Sequence, residues 1–161
     1  MAPGRPVDMA VALTAAYVVH AVFAALWTGG IVFVAYAVLP VGLSGDIDPD
    51  VLERAVGKLS VLTRTAALVL PITGGYQIWR LYWPPEALVA GPRGHLVLTM
   101  VALWVVTTGL VEVAGARMRD GLDQRKVRTP AAAGRPFLLA ASAGAVLLLV
   151  TAGLLAAEVG V

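Results

Sequence analysis

Four apolar stretches, at about 9–39, 57–79, 95–116 and 136–157, leave little of this 161-residue chain outside them. Each reaches or exceeds the roughly 20 residues that carry a helix across about 30 Å of hydrocarbon. With 59% hydrophobic and 14% charged residues, the chain is too apolar for a soluble domain. The expectation is one all-α integral membrane four-helix bundle over 1–161, surrounded by the lipid bilayer.

Charge sets the orientation. Arg54, Lys58, Arg64, Arg117, Arg119, Arg125, Lys126, Arg128 and Arg135 gather in and beside the loops after the first and third stretches; Arg5, Arg80 and Arg93 lie on the other side. The positive-inside rule then puts loops 40–56 and 117–135 in the cytoplasm of a cell-membrane protein, with both termini outside. A cleavable signal peptide ending near Phe23-Ala24-Ala25 is the competing reading of the first stretch, but its apolar run far exceeds the 7–15 residues of such segments. Scarce lysine beside abundant Ala, Val, Gly and Arg points to a GC-rich genome. The acidic loop Gly45-Asp46-Ile47-Asp48-Pro49-Asp50 adds a hint of a halophilic source.

Punctuation inside the stretches predicts local structure. Gly29-Gly30 is the expected bend of the first helix, and Ala21, Ala25 and Gly29 form a small-residue ridge for close helix packing. Asp50 is the expected N-cap of the second helix, which starts near Leu52 or Val56 and kinks at Pro71. The stretch Arg117 to Arg128 reads as a short solvated helix over the membrane surface, and the last helix opens at Pro136. Arg64 and Glu112 are expected to form a salt bridge within the membrane. The intrahelical threonines Thr63, Thr65, Thr73, Thr99, Thr107 and Thr108, with Gln77, are expected to bond carbonyls of their own helices. Tyr76, Trp79, Tyr82 and Trp83 read as an interfacial aromatic belt.

Absences narrow the chemistry. Without cysteine there are no disulfides, thiolate metal sites or thiol catalysis, so any metal must use His, Met, carboxylate or backbone. No phosphate-binding loop, HExxH motif or nucleophile elbow is present, so no catalytic residue is expected. Nor is there a basic surface suited to nucleic acid.

The remaining candidate is His20, one of two histidines, set within the uncharged run from Met9 to Pro40. An ionisable group at membrane depth marks a candidate site because it needs a partner, a cavity or a ligand. The first and third helices enter from the same side, so equal distances from Ala12 and Gly94 imply equal depth. His20 is then level with Thr99 to Leu103, and Met100 is its natural opposite number. Imidazole with thioether suits haem iron or monovalent copper. His95 and Met9 sit at the outer mouth, where a metal could first be captured.

Four places carry a family likeness: His20-Ala-Val-Phe-Ala-Ala-Leu-Trp27-Thr-Gly29-Gly30; Leu59 to Arg64 with Thr73-Gly74-Gly75-Tyr76; Gly94-His95-Leu96-Val97-Leu98-Thr99-Met100; and the small-residue last helix. On these the chain resembles the membrane domain of copper-resistance protein D (CopD) and its haloarchaeal relatives. That four-helix unit is similar to the HemJ type of protoporphyrinogen oxidase. The resemblance implies copper handling, or a haem b redox role, with His20 in the family's histidine position and Trp27 beside the cofactor. Met100 stands where the pattern has a lysine, and Arg93 where it has a tyrosine, which argues against the oxidase activity. A third reading is a ligand-free accessory subunit in which His20 bonds across the helix seam to a hydroxyl or carbonyl. A homo-oligomer or a membrane partner subunit is the expected company.

Overall fold

The computed structural model describes residues 6–157, all of whose long elements are helices. Helix α1 (Pro6–Phe33) runs through a π-helical turn (Val34–Val38) into α2 (Leu39–Ser44). Helices α3 (Pro49–Leu81), α4 (Pro92–Leu122) and α5 (Arg128–Ala156) follow, with a 3-10 turn at Pro85–Leu88 before α4. The α1–α2 unit and the other three helices are each long and apolar enough to cross a membrane. This is a multi-pass membrane protein with an all-α four-helix fold.

The helices outrun their apolar stretches because the termini are well signalled. Pro49 and Pro92 occupy the first helical positions of α3 and α4, where the missing N–H costs nothing. The cap of α3 is Asp48, whose carboxylate accepts from the Asp50 N–H at 2.8 Å, so the helix begins earlier than the apolar pattern suggests. Pro71 and Pro136 both lie inside continuous helices. Helix α5 therefore starts eight residues before Pro136, and the stretch expected as a separate surface helix is divided between α4, a tight turn and α5. In that turn Arg125 adopts φ 54°, and its N–H and that of Lys126 close onto Leu122 and Gly121.

The irregularity in α1 also sits elsewhere than expected. Helix geometry continues through Gly29-Gly30, and the ladder widens at Val34–Val38, where the Leu39 N–H reaches the Val34 carbonyl. Pro40 supplies the cause: its ring conflicts with the carbonyl four residues back, and a π turn makes room. At the end of α2, Gly45 takes φ 85° while the Arg128 guanidinium packs over it and donates from Nε to the Ser44 carbonyl at 2.9 Å.

The helices form a ring in which α1 packs on α3, α3 on α4, α4 on α5 and α5 back on α1; α1 and α4 stand diagonally apart. The α4–α5 seam is the most extensive. Thr107, Val111, Ala114, Met118 and Leu122 face Ala131, Gly134, Leu138, Ala141 and Ala145, all buried at the three- and four-residue spacing of helix faces. Small residues set the distance: Gly134 receives the Met118 thioether and Gly144 the Thr107 hydroxyl.

The core is concentrated toward the loops at 45–48 and 123–127, hereafter the basic end, where Trp27, Ile31, Leu52 and Leu59 are enclosed. Toward the opposite, aromatic end the corresponding positions of α1 (Met9, Leu13, Ala16 and His20) are only half-buried. Helix α1 is therefore less enclosed toward that end. Tyr76 and Trp79 lie there with ring centroids 6.0 Å apart, and the Arg80 guanidinium sits 5.7 Å from the Trp79 ring.

Candidate functional site

Met9, Leu13, Ala16, His20, Phe23 and Trp27 alternate at steps of four and three residues, so they share one face of α1. The matching face of α3 is Thr63, Ala66, Leu70, Thr73 and Gln77. Polar residues on a seam between two apolar helices have little water to satisfy them, and here they pair across it. The Trp27 indole donates to Thr63 Oγ1 at 3.1 Å, His20 Nδ1 lies 2.8 Å from Thr73 Oγ1, and Gln77 Nε2 donates to the Ala16 carbonyl at 3.4 Å. The ridge of Ala21, Ala25 and Gly29, expected at a helix interface, is exposed on the other side of α1.

The Thr73 hydroxyl decides the state of the imidazole. Its single proton is directed to the Val69 carbonyl at 2.7 Å, so toward His20 the oxygen presents a lone pair. Nδ1 then carries the hydrogen and donates it, which leaves Nε2 as an unprotonated donor nitrogen; this network assigns the tautomer. Among the side chains of the described residues, Thr73 is the one hydrogen-bond partner of the ring, at Nδ1. Gly74 completes the seat: a Cβ added there would stand 3.1 Å from the ring's Cε1. The edge of the imidazole thus rests on bare backbone.

Met100 lies within about one helical turn of His20 in height and makes no hydrogen bond to it. Arg64 meets Glu112, and Ser60 faces Gly115, which fixes the antiparallel register of α3 and α4. Continued along the helices, that register sets Thr73, and His20 with it, level with about Leu103, roughly 4–5 Å in height from Met100. Met100 also lies on the side of α4 that carries buried Val97, Thr107 and Val111. Yet α1 and α4 are diagonal in the ring, and the one polar side-chain partner of His20 is Thr73 rather than the thioether. One turn below Met100 the Trp104 indole N–H is buried with no partner among the described residues.

The other candidates are separated. His95 is exposed, two and a half turns from Trp104 and hence on the opposite face of α4, with its carbonyl accepting from Thr99. Met9 is half-buried and follows the His20 face of α1. Trp27 is 1% exposed with its N–H already used, so it joins α1 to α3 and offers no surface to a cofactor. Among the described residues no three His, Asp or Glu side chains gather closely enough to hold a metal ion.

Sequence reasoning named Thr73, Gly74 and Gln77 but gave none of them a part in the site. Thr73 does bond its own helix, as expected, but it also receives His20; Gln77 bonds α1 instead of its own helix. Thr107 and Thr108 bond nothing among the described residues. The available signal was the spacing of Thr63, Thr73 and Gln77 along a single buried face of α3. The Arg64–Glu112 pair forms as expected, with two bonds at 3.2 and 3.1 Å. The chain matches no protein-family model, no curated protein and no solved structure.

Proposed function

We propose that this is a copper-handling membrane protein of the CopD-like type, built around His20, with both termini outside and the basic loops in the cytoplasm. The observation that supports it is the Thr73-held imidazole. Histidines that bind metals characteristically donate one ring N–H to an oxygen, which orients the ring and raises the basicity of the other nitrogen. Nδ1 of His20 is held in that way by Thr73, and no other side chain among the described residues hydrogen-bonds the ring. The donor set suits a soft monovalent cation: one imidazole, a thioether within a helical turn of it in height, and no carboxylate cage among the described residues. His20 and Met100 would hold the ion, and the half-buried face of α1 at the aromatic end would admit it. The family likeness adds a prior in the same direction.

Copper(I) titration of the purified protein, with a chromophoric competitor, tests the reading. Wild type is expected to bind one equivalent that His20→Ala loses entirely, while its thermal melt stays cooperative. Thr73→Val is expected to retain the site with about 10- to 100-fold weaker affinity, as loss of an outer-shell partner does elsewhere. Unchanged copper stoichiometry in His20→Ala overturns the proposal.

A haem b protein is the second reading, favoured by the isolation of His20, since haem iron can be held by a single axial imidazole. A Soret band in protein from haem-supplied cells would establish it, and a colourless preparation would dismiss it. The ligand-free reading gains from the His20–Thr73 bond itself. Full retention of phenotype in His20→Gln would favour it over both.

A further inference from the structure

The Arg64–Glu112 pair lies on the outside of the bundle, inside the depth of the membrane. Arg64 is six residues along α3 from Lys58, and Glu112 five residues before Arg117, so both are roughly 7–9 Å past the nearest basic residues toward the hydrocarbon centre. Their side chains are 61% and 33% exposed. Around them the surface is apolar and low: Val61 and Leu68 on α3 and Val105 and Ala116 on α4 are exposed, and Gly57 and Gly109 have open space above them. Charged groups at such depth almost always face protein or water, because acyl chains supply no hydrogen-bond acceptor. Arg64 spends only Nε and one Nη2 hydrogen on Glu112, and its other N–H donors have no partner among the described residues.

We infer that a second copy of this chain covers the α3–α4 face, forming a two-fold symmetric dimer centred on Arg64 and Glu112. Charge complementarity selects a second copy as the occupant. Two copies inserted the same way up are related by an axis along the membrane normal, so equal residues sit at equal depth. With the axis through the groove, α3 of one copy opposes α4 of the other. Arg64 of each copy then faces Glu112 of the other, and the two intramolecular pairs close into a neutral ring of four charges. The free N–H groups of each guanidinium gain carboxylate acceptors, and Gly57, Gly109 and Ala116 allow the close approach. The inference is independent of any ligand at His20.

Photobleaching step counts on singly labelled protein, diluted in lipid vesicles, read the oligomeric state directly. Wild type is expected to be a dimer. Arg64→Glu sets like charges across the axis and is expected to lower the dimer fraction by about tenfold or more. The exchange Arg64→Glu with Glu112→Arg is expected to restore it. A monomeric wild type, or a dimer untouched by Arg64→Glu, overturns the inference. Should the reversed variants fail to fold, the absence of cysteine provides a second measurement. Val61→Cys is expected to give cross-linked dimers with a short bismaleimide, and Leu149→Cys, exposed on α5 away from this groove, is not. The reverse pattern overturns the inference equally.

Discussion

Trp27→Ala is expected to destabilise the bundle by about 3–5 kcal/mol, the range for emptying an enclosed aromatic site. The indole is the largest side chain among those almost wholly enclosed, at 1% exposure, and it lies where α1 meets α3. Association of helices within lipid draws on packing more than on water exclusion, so a void of this size forfeits contacts that acyl chains cannot replace from outside. The polar part is separable. Trp27→Phe keeps most of the volume and removes the donor to Thr63, and is expected to cost about 0.5–1.5 kcal/mol. Denaturation in a fixed detergent, followed by helix signal, gives both values. A melt of Trp27→Ala within error of wild type would show that this ring is not central to the core.

Gly94→Ala is the second large effect, and its sign rests on backbone. Gly94 is buried in the first turn of α4, and a Cβ there would stand 2.5 Å from the carbonyl carbon of Leu88 and 2.6 Å from its Cα. Alanine ordinarily improves a helical glycine by up to about 1 kcal/mol. Here the 3-10 turn Pro85–Leu88 must leave its seat, and overpacking of this kind costs about 1–3 kcal/mol or more because no flexible side chain can give way. The net expectation is a loss, seen as a lower melting temperature and as proteolysis within 82–91. Gly29→Ala provides the opposite sign: nothing lies within 4 Å of the added methyl, and the helix is regular there. That variant is expected to be neutral or stabilised by up to about 1 kcal/mol. A destabilised Gly29→Ala would return the bend of α1 to the position that its glycines suggested.

The contrast between these two glycines shows where sequence stops being informative. Gly29 sits within an apolar run and Gly94 at the edge of one, yet only the fold of the 82–91 loop gives the two substitutions opposite signs. The same holds for Pro40 and Gly29-Gly30, either of which could disturb α1; the helix yields at Val34–Val38 because a missing N–H and a ring clash compel it, whereas glycine merely permits bending. Asp50 was the expected cap of α3, but Pro49 takes the first helical position and leaves Asp48 as the cap. The ion pair of Arg64 and Glu112 was legible because two opposite charges at matching depth have few alternatives in lipid. Thr73 was not, since a helical threonine can satisfy its hydroxyl alone and gives no sign that a histidine will use its lone pair.

By itself the sequence determined the class of fold and the four helices long and apolar enough to cross a membrane, because apolar length and the rise of a helix act along one dimension. Only the tertiary structure decided that α1 lies beside α3 and diagonal to α4, and so that His20 bonds Thr73 and rests on Gly74. Azimuth and neighbour order arise from how four surfaces interlock at once, with small residues and proline placing each helix against the next. That information is shared among all the helices and is not readable from any one of them.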